Sequence, residues 1–150
     1  MSIQQQLKGI TNRIDLKMNR AAQVIMTETR DELKKSIDNL WYSSYSPKDY
    51  VRSYELINSV NGRVVKNNQG DYSIEVYFDD TLMTSRPSLY GWGSHSGFDG
   101  GDFRKGLIES IIHGMRGSYY NPRHGEATNV IEVVQQAATQ YANSILRKYL

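Results

Sequence analysis

The chain has no cysteine. Disulfides, thiolate metal sites and cysteine nucleophiles are therefore excluded, and a reducing compartment is the expected place of synthesis. Histidine is scarce as well. His95, His113 and His124 have no HExxH-type spacing and offer no preformed metal site. Charge of one sign is lacking: 18 basic side chains face 16 acidic ones, for a formal net charge of +2. That balance is too small to imply nucleic-acid binding by charge alone. No apolar run approaches the roughly 20 residues needed to span a bilayer. The N-terminal MSIQQQLKGITNRIDLK lacks the unbroken apolar core of a secretory signal. No membrane partner is expected.

Regular helical periodicity, by contrast, is abundant. Ile3, Leu7, Ile10, Ile14, Met18, Ala21, Ile25, Thr29, Leu33, Ile37 and Leu40 recur at three- and four-residue steps. The spacing predicts one long helix over residues 3–40, capped by Ser2. Such a helix is about 55 Å long at 1.5 Å per residue. A compact single domain of 150 residues does not need that length. Part of the apolar stripe must find another partner, either the last helix or a neighbouring subunit. Ile3, Ile14 and Ile25 repeat every eleven residues, which argues against a sustained left-handed coiled coil.

Tyrosine is the dominant aromatic, with 11 copies against three phenylalanines and two tryptophans. Five aromatics, Trp41, Tyr42, Tyr45, Tyr50 and Tyr54, crowd around Pro47 and Arg52 in WYSSYSPKDYVRSYELINSV, residues 41–60. Tyrosine gives stiff contact area with a polar tip, so this segment reads as an adhesive joint between helix and sheet. Ser46-Pro47 predicts a short turn or helix with Tyr50, Tyr54 and Ile57 at helical spacing. Asn61-Gly62 predicts a turn, Arg63–Asn67 a strand and Asn68-Gln69-Gly70 a hairpin connection. Asp71–Asp79 predicts the second strand, with Tyr72, Ile74, Val76 and Phe78 on one face and Ser73, Glu75 and Tyr77 on the other.

Residues 80–106 are glycine-rich and aperiodic, yet they carry Leu89, Tyr90, Trp92, Phe98 and Phe103. An ordered arm that docks on a partner suits that composition. Phe103–Met115 predicts a short helix. The last helix is expected over 127–149, with Val130, Val134, Ala137, Tyr141 and Ile145 as its stripe, widened by Val133 and Ala138, and Asn129 with Glu132 as a capping box. The expected fold is α+β in one domain: a long helix (1–40), the aromatic joint (41–60), a β-hairpin (61–80), a loop with a short helix (81–125) and a C-terminal helix (126–150). Both long helices pack on a small antiparallel sheet.

Catalytic motifs are missing. There is no GxxxxGK[ST], no GxSxG and no EF-hand spacing around Asp99 and Asp102. A hydrolase or metal enzyme would have to assemble from His95, Asp99, Asp102 and His113 through the fold alone. No enzyme activity, cofactor or metal is expected. Lys8, Arg13, Lys17 and Arg20 oppose only Asp15 in the first 20 residues, while Asp71, Glu75, Asp79 and Asp80 have no cation among them over 71–80. Opposite signs on separate elements suit head-to-tail contacts between identical subunits. A solvated helix face beside acidic hairpin ends is the plainer alternative.

Pro47, Tyr50, Arg52, Ser53, Leu56, Ser59 and Val60 resemble the motif of a phage family, the Hong Kong 97 gp-ten-like tail-completion or head–tail joining proteins. In that family a long helix is followed by proline, an Arg/Thr-type pair, leucine, and a serine with a branched apolar residue leading into a sheet. Tyr54 departs from it, because many members have glycine there. The resemblance implies a non-enzymatic virion protein of the phage neck, made in the host cytoplasm. It implies a tail terminator or connector ring, sixfold, touching the tail tube below and a head-completion, stopper or adaptor protein above. Genomic DNA would pass through the lumen without specific binding. The candidate interface residues are Trp41, Tyr42, Tyr45, Tyr50, Arg52, Tyr54, Tyr90, Trp92 and Phe98. Glu75, Asp79 and Asp80 are the candidate lumen-facing acids, since phosphates gain nothing from carboxylates. The alternative is a small nucleic-acid-binding module using the basic helix and tyrosine stacking surfaces.

Overall fold

The computed structural model describes residues 2–43, 54–83, 108 and 130–149. Helix α1, Ile3–Ser36, starts on a reciprocal capping box. Ser2 Oγ accepts from the Gln5 backbone N–H at 3.2 Å, and Gln5 Oε1 accepts from the Ser2 N–H at 2.9 Å. Two of the four orphan donors of the helix start are thereby satisfied without any tertiary contact. At its other end α1 widens into a π-helical turn, Ile37–Tyr42. That turn closes where the Ser43 N–H and Oγ both donate to the Asp38 carbonyl, at 2.8 and 2.9 Å. Helical backbone thus runs slightly past the expected end at residue 40.

A four-residue helix α2, Glu55–Asn58, follows Tyr54. Tyr54 has φ 56° and ψ 14°, in the left-handed region. This corrects the expectation of one helical face through Tyr50, Tyr54 and Ile57. A left-handed residue breaks the ladder, so helix α2 begins only at Glu55. Ser46, Pro47 and Tyr50 lie outside the described residues.

Strands β1, Val60–Lys66, and β2, Tyr72–Phe78, form a two-stranded antiparallel sheet. The expected turn at Asn61-Gly62 is corrected, since both residues sit inside β1. The glycine serves close approach instead. A Cβ placed on Gly62 would stand 2.6 Å from Met26 Sδ of α1. Reversal occurs at 67–71, where Asn67 Oδ1 accepts from the N–H groups of Gln69 and Asp71, both at 2.9 Å. Gly70 supplies the positive φ of 92° that this tight loop requires. The register pairs Val60 with Phe78, Gly62 with Val76, Val64 with Ile74 and Lys66 with Tyr72. Paired residues share a face, so these eight line the side against α1, as the alternation in β2 predicts. A short 3-10 turn, Asp80–Leu82, then delivers Met83 to the core.

The last helix, α3, is described over Val130–Tyr149. The 127–129 start and its Asn129 cap lie outside the described residues, as do the expected short helix apart from Ile108 and the glycine-rich arm beyond Met83. Helix α3 runs antiparallel to α1. Its first turns, Val130 and Val134, cluster with Leu33 and Ile37, and Ala142 lies near Ile25. Val133, expected to widen the apolar stripe, is exposed instead.

The core sits where the C-terminal third of α1, α2, the β1 start and the α3 start converge. Leu33, Ile37, Leu56, Val60, Met83, Val130 and Val134 form it. Ser59 is fully buried and fully engaged: Oγ donates to the Leu56 carbonyl at 2.8 Å, and its own carbonyl accepts from the Asp79 N–H at 2.7 Å. Ser59-Val60 is thus the lead into the sheet that the sequence predicts.

At 1.5 Å per residue, α1 is about 51 Å long and α3 about 30 Å. The difference falls at the N-terminus of α1. There Ile3, Leu7, Ile10 and Ile14 are 75 %, 58 %, 54 % and 51 % exposed.

Candidate functional site

The aromatic joint is described only at its edges. Tyr42, on the π-helical turn, packs against the core, and its ring meets Tyr54 edge-on with centroids 5.3 Å apart. Tyr54 is the exposed partner of the pair. The backbone of Trp41 lies in the π-helical turn. Tyr45, Tyr50, Arg52, Tyr90, Trp92 and Phe98 lie outside the described residues, as do His95, Asp99, Asp102, His113 and His124. Among the described residues no group of three or more metal-ligating side chains comes together, and no helix is long and apolar enough to cross a membrane.

The three acids proposed to line a lumen have different surroundings. Glu75 lies on the open face of the hairpin, where its Oε2 accepts from Arg63 Nε at 2.6 Å. The Arg63 guanidinium also stands 5.6 Å from the Tyr77 ring centroid. The Glu75 carboxylate pulls the Arg63 pKa above its ordinary value. Asp79 caps the 3-10 turn, accepting from the Thr81 N–H at 3.1 Å and Oγ1 at 2.6 Å. Asp80 belongs to that turn and is half-buried. The hairpin therefore presents a mixed Arg–Glu–Tyr patch, with Arg63 from the facing strand supplying the cation missing from 71–80.

A second cluster joins α1 to the sheet, and sequence reasoning did not find it. Asp15 Oδ1 accepts from Lys66 Nζ and from the Tyr72 hydroxyl, the latter at 2.8 Å. The Lys66 ammonium lies 5.4 Å from the Tyr72 ring centroid. Lys66 and then Tyr72 hold the Asp15 carboxyl below its usual range, and Asp15 in turn raises the Lys66 pKa. Burial, followed by the Asp15 hydrogen bond, pushes the Tyr72 phenol up. The signal was the isolation of Asp15 among Lys8, Arg13, Lys17 and Arg20. Its charge is spent on the hairpin, which leaves the start of α1 uniformly basic.

On the α3 side, the Tyr141 hydroxyl donates to Glu32 Oε2 at 3.3 Å. Burial, then the nearby Glu32 carboxylate, raises the Tyr141 pKa. A shallow cleft of about 330 Å³ opens between α1, β2 and α3, lined by Ile25, Thr29, Ile74, Val76, Ala138, Thr139 and Ala142. Its walls are apolar except for the hydroxyls of Thr29 and Thr139. Thr29 is 7 % exposed, and its Oγ1 has no hydrogen-bond partner. An unpaired buried hydroxyl carries a desolvation cost of about 1–3 kcal/mol.

Among the described residues the arrangement offers three surfaces: an exposed apolar and basic helix tip, a cleft and an aromatic edge. The family model YomN matches residues 3–149, and the chain belongs to the YomN family. No curated protein and no solved structure matches it.

Proposed function

We propose that this YomN-family chain is a structural protein of a tailed-phage virion. In this reading it forms a ring in the neck that joins the tail tube to the head-completion proteins. The exposed stripe Ile3–Leu7–Ile10–Ile14 carries the assembly part of the reading. A helix start that is capped by Ser2 and Gln5 and clamped by Asp15 stays helical, and its apolar face has no cover among the described residues. Exposed apolar patches of this kind mark interaction sites.

The neck part rests on the resemblance through Pro47, Arg52, Leu56, Ser59 and Val60. Ser59 ends α2 and Val60 opens β1, which supports that reading. Tyr54 stands where many members of the resembled family have glycine, and its backbone is left-handed, a conformation glycine adopts without penalty. The protein acts without catalysis, as a sixfold ring in contact with itself, the tube and a stopper or adaptor, and DNA traverses it.

Light scattering and co-sedimentation with tail tubes lacking this protein test the reading. A discrete oligomer or capped tube ends are expected. A chain that stays monomeric and ignores tubes refutes it. One observation favours nucleic-acid binding instead: neutralisation of Asp15 leaves Lys8, Arg13, Lys17 and Arg20 unopposed on the tip. That reading requires DNA or RNA binding that falls steeply with salt, and a flat titration at low salt removes it.

A further inference from the structure

We infer that the tip of α1 docks on a second copy of this chain, seating Leu7 and Ile10 in the neighbour's cleft between β2 and α3. The inference rests on the ring reading above and names the contact that propagates the ring.

The knob and the hole are both on the page. The knob is the stripe Ile3, Leu7, Ile10 and Ile14, spaced four, three and four residues apart as in a helix–helix seam. It continues the face of α1 that α3 covers further along, so another packing surface is what it lacks. The hole is the apolar cleft walled by Ile25, Ile74, Val76, Ala138 and Ala142.

Charge selects this pairing over tip against tip. The tip, residues 2–20, carries four cations and the single anion Asp15, which Lys66 already engages. Beside the cleft the Glu28 and Glu32 carboxylates both stand near Tyr141. Two tips together would oppose like charges, whereas a tip on a neighbour's body brings opposite signs together. A contact between two different surfaces of the same chain is heterologous, and repetition closes it into a ring when the rotation allows.

The absence of cysteine makes the test clean. Two variants, Leu7→Cys and Ala142→Cys, each introduce one thiol. The two positions cannot meet within a chain. Ala142 lines the cleft with Ile25, and Leu7 is eighteen residues from Ile25, about 27 Å along the helix. Disulfides require Cα atoms within about 7 Å. Each variant is mass-tagged, checked for an unchanged thermal midpoint, then oxidised alone and mixed. The expected product is a covalent heterodimer in the mixture, under conditions where neither variant alone dimerises.

Leu7→Cys joining itself as fast overturns the proposal in favour of tip-on-tip pairing. Absence of the heterodimer while the unmodified chain forms rings also overturns it, yet leaves the ring reading standing. Absence of both heterodimer and oligomer overturns it too, and tail-tube binding then decides the ring reading separately. An Ala142→Cys thiol that resists maleimide in the isolated chain means the cleft is already filled, which likewise refutes the docking.

Discussion

Replacing Gly62 by alanine tests the packing of α1 on the sheet, and the sign of the effect decides the matter. Gly62 does not have a positive φ, so alanine can adopt its backbone. With open space above it, alanine would stabilise the fold by about 0.4–1 kcal/mol through the unfolded chain. Space is absent: the new Cβ would lie 2.6 Å from Met26 Sδ, 3.1 Å from Met26 Cγ and 3.4 Å from the Glu75 carbonyl oxygen. The first two atoms belong to the Met26 side chain, and the third is backbone at ordinary contact distance. Met26 must swing away, while β1 has little freedom to retreat. Overpacking of this size costs about 1–3 kcal/mol. Set against the entropic gain, the net loss expected is about 1 kcal/mol, or about 2–4 °C in thermal midpoint for a chain of this length. Gly62→Val should lose more. In a Met26→Ala background the clash is gone, and Gly62→Ala should become neutral or stabilising. Urea unfolding of the four proteins reads this coupling directly. If Gly62→Ala raises the midpoint in the unaltered background, or if Met26→Ala leaves its effect unchanged, the glycine is not there for helix approach.

Further substitutions separate core from surface. Ile37→Ala, at a fully buried position, should cost about 2–5 kcal/mol, whereas Leu7→Ala should leave unfolding within about 0.5 kcal/mol and weaken self-association. Equal stability losses for the two would mean that the helix tip is core. Tyr54→Gly relieves a left-handed backbone worth about 1–2 kcal/mol but gives up a Tyr42 ring contact worth about 0.5–1.5 kcal/mol. It should therefore unfold near the original midpoint, while Tyr54→Ala falls clearly below it. Equal midpoints for the two variants would rule out strain at this residue. Asp15 has a native pKa below its ordinary 3.8. Its carboxylate therefore supports the α1–hairpin clamp above that value and loses hold as pH falls through the lowered one. Protection factors of the Lys66 and Tyr72 amides, taken against the intrinsic exchange rate at each pH, should fall on acidification in the unaltered chain. In Asp15→Asn the protection should be low throughout, and an Asp15→Asn protection profile that still switches in acid would assign the effect to another group.

The helices and the hairpin were legible in the sequence because their signals are local. A 3.6-residue stripe, a Ser2 cap and alternation through Tyr72–Phe78 each act over a few neighbouring residues. What escaped depends on partners distant in sequence. Asn61-Gly62 has turn composition, and only α1 passing overhead reveals the glycine as a contact point. Tyr54 fits a helical stripe with Ile57, yet the chain must turn there to bring Leu56 into the core. Glu75 looked unneutralised because its cation, Arg63, comes from the facing strand. Asp15 looked like a stray acid because Lys66 and Tyr72 are supplied by the far end of the hairpin.

The Asp15 clamp also explains how a surface helix can serve assembly. An isolated helix start of this length is marginal in water. Here the capping box secures its first turn, and Asp15, three turns further on, ties it to both strands at once. The stripe between those two anchors is held straight without being covered. Rigidity of this kind lowers the conformational cost of binding, since the side chains are already arrayed when a partner arrives. The same clamp removes the only negative charge from the tip, so one side chain both stiffens the docking helix and sets its sign. A tip freed by Asp15→Asn should therefore keep its basic residues yet associate more weakly, because ordering it becomes part of binding.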